Sequence, residues 1–223
     1  MANNTLKELI EAGGLVVAPG VFNPLTAMIA EAQGFQAVYM TGFGIAAMNY
    51  GYPDLGLVTM TEMVENAARI AAAVEIPVIA DADTCYGNPI NVVRTIREYE
   101  RAGVSAIHME DQVWPKRCGH MTGKTVIEAE EMAAKIRAAA GARSGPESLL
   151  IIARTDAIAT HGFEHAVERA RLYAEAGADV LFLEAPTTVE EMERIPELLP
   201  ERPHLVNMAP PAAFSSTAAF PFV

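Results

Sequence analysis

The sequence predicts a parallel α/β fold, a TIM-type (β/α)8 barrel lacking its last βα unit. Three observations carry this. Short apolar runs recur along the 223 residues, each followed by a polar or glycine-rich cluster and then an amphipathic stretch. The runs are almost uninterrupted by polar residues, as strands buried on both faces of a parallel sheet are. Two amphipathic stretches end alike, in Arg101-Ala-Gly-Val-Ser-Ala and Glu175-Ala-Gly-Ala-Asp-Val, a glycine stop leading straight into a new apolar run.

The strand-like runs are Leu15–Ala18, Ala37–Met40, Val78–Ala80, Ala106–Met109, Leu149–Ala153, Val180–Leu183 and His204–Val206. Between them, Thr61–Val74 places Met63, Val64, Ala67, Ile70, Ala71 and Val74 at helical spacing. Pro89–Ala102 opens on a proline suited to a first helical turn and closes before Gly103. Ile127–Ala140 and Phe163–Ala176 repeat the pattern, the second stopping at Gly177. Strand–helix alternation of this kind builds a parallel sheet with right-handed crossovers. A closed barrel has eight units over roughly 250 residues, so this chain is one unit short. Residues 1–208 form the barrel domain. Residues 209–223 stand apart: no Asp, Glu, Lys or Arg follows Arg202, and the tail shows neither alternation nor a helical face. It reads as a non-native end or, alternatively, as a tail covering the open barrel edge.

Hydrophobic residues make up 51% of the chain and aromatics only 7%, so small aliphatic side chains fill the core. No run is long enough to cross a membrane, and the polar start lacks the features of a signal peptide. Two cysteines, Cys85 and Cys118, are too few for a disulfide framework and suit a reducing cytoplasm. The net charge of −12 argues against nucleic acid or an anionic membrane as partner. A small anionic substrate then needs local help from a metal or from arginines.

Polar residues gather just past the strands: Thr41-Gly42, Asp81 with Asp83, Glu110-Asp111, Arg154-Thr155-Asp156, Glu184 and Asn207. In a parallel barrel these positions share the C-terminal rim, where active sites lie. Carboxylates converging there repel unless a cation sits among them, and oxygen-only ligands favour magnesium or manganese over zinc. For Asp81-Ala-Asp83 the alternative is a helix cap or a solvated loop pair. In Lys116-Arg-Cys-Gly-His120 the basic residues can lower the Cys118 thiol pKa and make it a proton donor or acceptor. Gly119 lets the backbone approach closely or turn sharply. The alternative is a surface loop with an incidental cysteine. Arg154, at the end of an apolar strand, is a clamp for a substrate carboxylate or a structural partner of Asp156 or Glu184. Cys85 reads as a packing residue and His161 and His165 as helix-start residues. Glu128–Glu131 and Glu190–Glu193 read as solvated helix starts favoured by the dipole.

Several stretches in order resemble the isocitrate lyase/phosphoenolpyruvate mutase superfamily: Tyr39-Met-Thr-Gly-Phe-Gly, Pro53-Asp-Leu-Gly, Ala80-Asp-Ala-Asp-Thr, Tyr86-Gly-Asn, Ile107-His-Met-Glu-Asp-Gln, Pro115-Lys-Arg-Cys-Gly-His, Ala153-Arg-Thr-Asp-Ala and Phe182-Leu-Glu-Ala-Pro. The resemblance covers roughly residues 5–208. The cysteine loop is similar to that of the superfamily's lyases, above all the methylisocitrate and 2,3-dimethylmalate lyases, rather than the phosphonate mutases. It implies a magnesium-dependent C–C lyase (oxo-acid-lyase) in which a small 2-hydroxy di- or tricarboxylate yields a 2-oxo acid such as pyruvate plus a carboxylate. It implies Asp81 as direct metal ligand, with Asp54, Asp83 and Glu110 holding metal-bound waters or substrate. Thr41, Gly42 and Phe43 would donate to a substrate carboxylate and its 2-oxygen. Arg154 would clamp the substrate, bordered by Gly119, and Asn207 would bind a distal carboxylate. Cys118 would exchange a proton with the carbanion-like fragment, with His120 and Glu184 as neighbours. The family's members are homo-oligomers, tetramers that swap a helix. The chain departs from the pattern at Cys85, where the family has glycine. It also departs at Ala209-Pro-Pro, which replaces a glycine-rich segment, and in lacking the eighth strand and the swapped helix. Other chemistries of the superfamily, oxaloacetate hydrolysis or decarboxylation and carboxyphosphonoenolpyruvate phosphonomutase activity, stay open, as does an inactive barrel fragment.

Overall fold

The computed structural model describes residues 2–119, 123–145 and 148–208. His120 and the tail 209–223 lie outside the described residues. In chain order the elements are α1 (Ala2–Glu11), β1 (Gly20–Val21), α2 (Pro24–Ala32), β2 (Val38–Met40), α3 (Gly42–Ile45) running into a π-helical turn (Ala46–Tyr50), α4 (Met60–Ala71) and β3 (Val78–Asp81). Then follow α5 (Pro89–Ala102), β4 (Ala106–Glu110), α6 (Ala129–Ala142), β5 (Leu150–Thr155), α7 (Ile158–His161), α8 (Phe163–Glu175), β6 (Val180–Leu183) and α9 (Val189–Leu198).

The six strands are all parallel and lie in the order β1-β2-β3-β4-β5-β6. A doubly wound sheet reverses its strand order at a switch point. The uninterrupted sequential order is instead that of a barrel wall, as expected from the sequence. Strand alternation then sorts the side chains. Ile107 and Met109 of β4, Ile151 and Ala153 of β5 and Leu181 and Leu183 of β6 join the helices in one apolar layer. Their neighbours Ala106, Leu150, Ile152, Val180 and Phe182 form a second cluster on the inner face, with Ala37 and Ile79. Leu6 of α1 joins this inner cluster at 1% exposure, closing the end of the sheet where the strands begin. Burying that side chain stabilises the fold by about 2 kcal/mol.

Local signals set the helix bounds. Asn88 caps α5, accepting from the Ile90 and Asn91 amides while Asn91 accepts from the Asn88 amide. Pro89 is the first residue of that helix and Gly103, at φ 82°, ends it in the left-handed region. Thr59 caps α4, so that helix begins one residue earlier than its apolar spacing indicates, and it ends at Ala71 rather than Val74. The α6 helix begins at Ala129 rather than Ile127, because the Ile127 amide donates to the Asp111 carbonyl (2.8 Å). Glu130 and Glu131 fall in the first turn of α6, and Glu190 and Glu191 in that of α9.

Two predicted strands are corrected. Leu15–Ala18 is not a strand: Leu15 is 86% exposed, and the ladder to β2 begins only where the Tyr39 amide donates to the Pro19 carbonyl (3.0 Å). Its apolar pattern is strand-like, but a strand needs a hydrogen-bonded neighbour, and none flanks this segment among the described residues. His204–Val206 shrinks to a single bridge, His204 to Leu181, held by Leu181 N to Pro203 O (3.0 Å) and Leu205 N to Leu181 O (2.9 Å). Among the described residues no helix is long and apolar enough to cross a membrane.

Candidate active site

The strand parity that builds the inner cluster also builds the site. Continuing the inner positions to the C-terminal strand ends puts Tyr39 and Thr41, Asp81, His108 and Glu110, Arg154 and Glu184 on one face. A cavity of about 940 Å³ runs along that face, from Leu6 and Leu150 at its floor to Thr41, Asp81, Arg154 and Glu184 at the rim. Its walls are largely apolar, so the charged rim is where an anionic ligand finds partners.

Asp81 is buried beneath the start of α3. Its Oδ2 accepts from the Gly42 amide (3.2 Å) and its Oδ1 from the Asp83 amide (2.9 Å). His108 Nδ1 lies 3.3 Å from Oδ1 and 2.7 Å from the Tyr39 hydroxyl. Burial works to raise the Asp81 pKa, but His108, the Lys116 ammonium and the Asp83 amide outweigh it and hold the carboxyl well below its ordinary range. A Cβ on residue 42 would sit 2.6 Å from Asp81 Oδ2, so glycine is what lets this backbone reach the carboxylate. The Gly42 amide is therefore committed to Asp81. Thr41 caps α3, accepting from the Gly44 amide (3.1 Å), which leaves its own proton to donate.

The segment after β4 folds back over this rim. Gln112 pairs with Arg117 in both directions, Nε2 to the Arg117 carbonyl (2.8 Å) and Oε1 from its amide (2.9 Å), as a neighbouring strand would. Lys116, 3% exposed, inserts its ammonium between Asp54 and Asp83 and stands 2.8 Å from Asp83 Oδ1. Burial, with the Asp81 and Asp54 charges, pushes the Asp83 carboxyl up to about 6 despite Lys116. The backbone carrying Asp83 is itself unusual, with φ values of 47°, 60° and 58° at Asp83, Cys85 and Tyr86. At Cys85 a glycine would bear no Cβ penalty. The cysteine costs about 1 kcal/mol in that conformation. Its side chain is fully buried in the core, where burial pushes the thiol up to about 12.

Arg154 is the structural partner of Asp156 and also faces the cavity. Its Nε and Nη2 grip Asp156 as a fork, at 2.9 Å each, while Nη1 lies 3.3 Å from Glu110 and Nη2 3.8 Å from Glu184. It also lines the cavity, its guanidinium 5.3 Å from the centre of the Phe182 ring. Gly119 packs so closely that a Cβ there would stand 2.3 Å from Arg154 Nη2 and 2.4 Å from Glu184 Oε1. That close approach brings Cys118, half-buried, to the cavity wall beside Arg154.

Thr41, Phe43, Asp54, Asp81, Cys118, Gly119, Arg154, Glu184 and Asn207 all line the cavity. Gly42 and Asp83 instead border a small adjoining pocket with Asp54, and Glu110 stands behind Arg154. Three residues that sequence reasoning did not assign adjoin the site: Tyr39 lines the cavity, His108 stands beside Asp81, and Lys124 reaches the Gly119 carbonyl. His108 was detectable, as the one polar residue inside the run Ile107–Met109 and at the same parity as Glu110.

The rim carries acceptors without donors. Glu110 Oε1 and Glu184 Oε2 are buried with no hydrogen-bond partner, and Asp83 Oδ1 meets Lys116 off the axis of a hydrogen bond. Among the described residues no three His, Cys, Asp or Glu side chains form a ready-made metal cage. The donor set, one low-pKa carboxylate at the cavity wall with further carboxylate oxygens behind it, fits a hard divalent cation that keeps most of its waters. Burial pushes Glu110 well above its ordinary value against the pull of Arg154 and Lys116.

The sequence profile of the phosphoenolpyruvate phosphomutase family matches residues 6–220. The chain is 52% identical over 195 residues to 2,3-dimethylmalate lyase of Eubacterium barkeri, covering 87% of this chain and 67% of that protein. It is 52% identical over 203 residues to 2-methylisocitrate lyase of Aeropyrum pernix, covering 91% of this chain and 64% of the relative. It thus spans about two thirds of the length of these curated relatives. A crystal structure of 2,3-dimethylmalate lyase superposes with a TM-score of 0.90 at 45% identity, over 94% of this chain and 70% of that one. Barrel order, rim residues and these matches agree: the chain belongs to the PEP mutase/isocitrate lyase superfamily.

Proposed function

We propose that this chain carries the active site of a magnesium-dependent C–C lyase. The substrate is a small 2-hydroxy di- or tricarboxylate of the 2-methylisocitrate or 2,3-dimethylmalate type. The products are a 2-oxo acid such as pyruvate and a second carboxylate. The observation that supports this most is the position of Cys118, at the cavity wall next to Arg154, on a loop whose glycine touches Arg154 and Glu184.

Asp81 is the ligand to the cation, with Asp54, Asp83 and Glu110 contributing through water. A divalent cation held there would supply positive charge beside the substrate hydroxyl and carboxylate and so make the hydroxyl proton easier to remove. Thr41 donates its hydroxyl proton to the substrate carboxylate, and Arg154 directs its guanidinium to the same end of the ligand. The acidic cluster takes up the hydroxyl proton. As the C–C bond breaks, its electron pair passes to the departing carboxylate, which becomes enolised. The Cys118 thiol, on the loop whose Gly119 packs against Glu184, protonates that carbon. Charge thus develops among fixed donors, the arrangement that lowers barriers most. Asn207 binds the distal carboxylate. The active form is a homo-oligomer in the cytoplasm.

Cys118→Ser tests this. Turnover should fall by about 10²–10⁴-fold, the contribution of a positioned proton donor, with substrate binding by calorimetry retained. Full turnover in the serine variant rejects Cys118 as the proton donor.

A further inference from the structure

Lys124 has no role in the chemistry above, yet its ammonium is buried between Asp156 and the Gly119 carbonyl, next to residues that line the cavity. The side chain is 2% exposed. Burying an ammonium is costly unless it is paired and hydrogen-bonded. One partner is Asp156, whose Oδ1 accepts from Lys124 Nζ at 2.9 Å. The same Oδ1 accepts from Arg154 Nη2 (2.9 Å), and Oδ2 accepts from Arg154 Nε (2.9 Å). The second partner is not an acid. It is the carbonyl oxygen of Gly119, to which Nζ also donates. That carbonyl satisfies a second N–H of the buried ammonium and at the same time ties Gly119 to it.

The two contacts connect the cysteine-bearing loop to the arginine at the substrate end. On its leading side the loop is fixed by other means, the Gln112–Arg117 pair and Lys116 between Asp54 and Asp83. On its return side the Val113 amide pairs with the Thr125 carbonyl (2.9 Å). Lys124 reaches back from that returning segment to Gly119, the residue after Cys118. Asp156 is in turn held from the outside: its amide donates to Asp111 Oδ1 (3.0 Å), and Asp111 is pinned by Thr155, Arg169 and Tyr173.

We propose that Lys124 is a positioning residue that seats Cys118, by fastening the Gly119 carbonyl to the Asp156–Arg154 pair. Cys118 and Arg154 are then set relative to one another through one buried ammonium, although they come from different strand ends. The proposal rests on the reading above only for the role of Cys118.

The test compares Lys124→Met, Lys124→Arg and the unmodified chain for kcat and KM, and for the rate at which iodoacetamide alkylates Cys118. Cys85 is fully buried with its thiol pushed up to about 12, so it stays silent in the native protein. In Lys124→Met, kcat should fall by about 10²-fold, the cost of misplacing a reacting group by about 1 Å, with KM within about threefold. Alkylation of Cys118 should change by about tenfold, and Lys124→Arg should recover most of both. If the methionine variant does not fold, Lys124→Gln, shorter and uncharged, is read in the same way. A folded variant in which kcat and alkylation are both unchanged overturns the proposal and leaves Lys124 a charge-balancing residue. If Cys118→Ser retains turnover, the alkylation arm still decides the fastening on its own.

Discussion

Adding a single methyl group at Gly119 should disable the site without unfolding the chain. Gly119 does not adopt a left-handed φ, so alanine meets no backbone penalty there and the effect comes from contact alone. The new Cβ would stand 2.3 Å from Arg154 Nη2, 2.4 Å from Glu184 Oε1 and 3.0 Å from Glu184 Cδ. Real contacts of a Cβ essentially never fall below 3.0 Å, so one partner must move by several tenths of an ångström or more. Arg154 resists, because its Nε and Nη2 are both tied to Asp156 at 2.9 Å. Glu184 is 1% exposed at the end of β6. The loop is therefore what gives way, carrying Cys118 with it. A displacement near 1 Å costs about 10²-fold in rate, and overpacking of this kind costs about 1–3 kcal/mol in stability. Steady-state release of 2-oxo acid by Gly119→Ala, with thermal unfolding alongside, measures both. Wild-type kcat in Gly119→Ala would refute the reasoning, because it would mean that the loop is not seated against Arg154 and Glu184.

Asp111→Ala should destabilise the protein by about 3–5 kcal/mol, because it strands Arg169, 3.1 Å from Asp111 Oδ2, as a buried unpaired charge. Urea unfolding measures the loss, and Asp111→Asn should lose less. Burial raises the Asp156 pKa, but Arg154 and Lys124 outweigh it and bring the carboxyl down to about 2 from 3.8. Because the folded value is the lower one, this group contributes about 2 kcal/mol of stability that is fully present above pH 3.8 and is lost as pH falls through about 2. Asp156→Asn should flatten the acid limb of the stability profile in that window, and an unchanged limb would show that the carboxyl is not held down.

Much of this was legible in the chain itself. The apolar runs fixed β2 to β6 to within a residue or two, and period-two alternation from those runs carries Asp81, Glu110, Arg154 and Glu184 to one face. The fork between Arg154 and Asp156, two residues apart, was also visible as an option. Leu15–Ala18 misled because composition shows only that a segment can be a strand, whereas pairing decides whether it is one. The ion pairs of the loop were hidden for a different reason. Lys116 and Asp54 are 62 residues apart and Lys124 and Asp156 are 32 apart, and no local pattern encodes which buried lysine meets which carboxylate. Lys116 was read from its neighbours as a thiol activator, and the fold turned it instead towards Asp54 and Asp83.

The rim of this cavity is proposed to cleave a 2-hydroxy acid with the help of a divalent cation. The most direct measurement is release of pyruvate and glyoxylate from 2-methylisocitrate, isocitrate, 2,3-dimethylmalate and oxaloacetate, with magnesium and with chelator. One of the 2-hydroxy acids should release a 2-oxo acid, with magnesium present and not with the chelator. A folded protein that turns over none of the 2-hydroxy acids, or one that turns them over equally well in chelator, would contradict it.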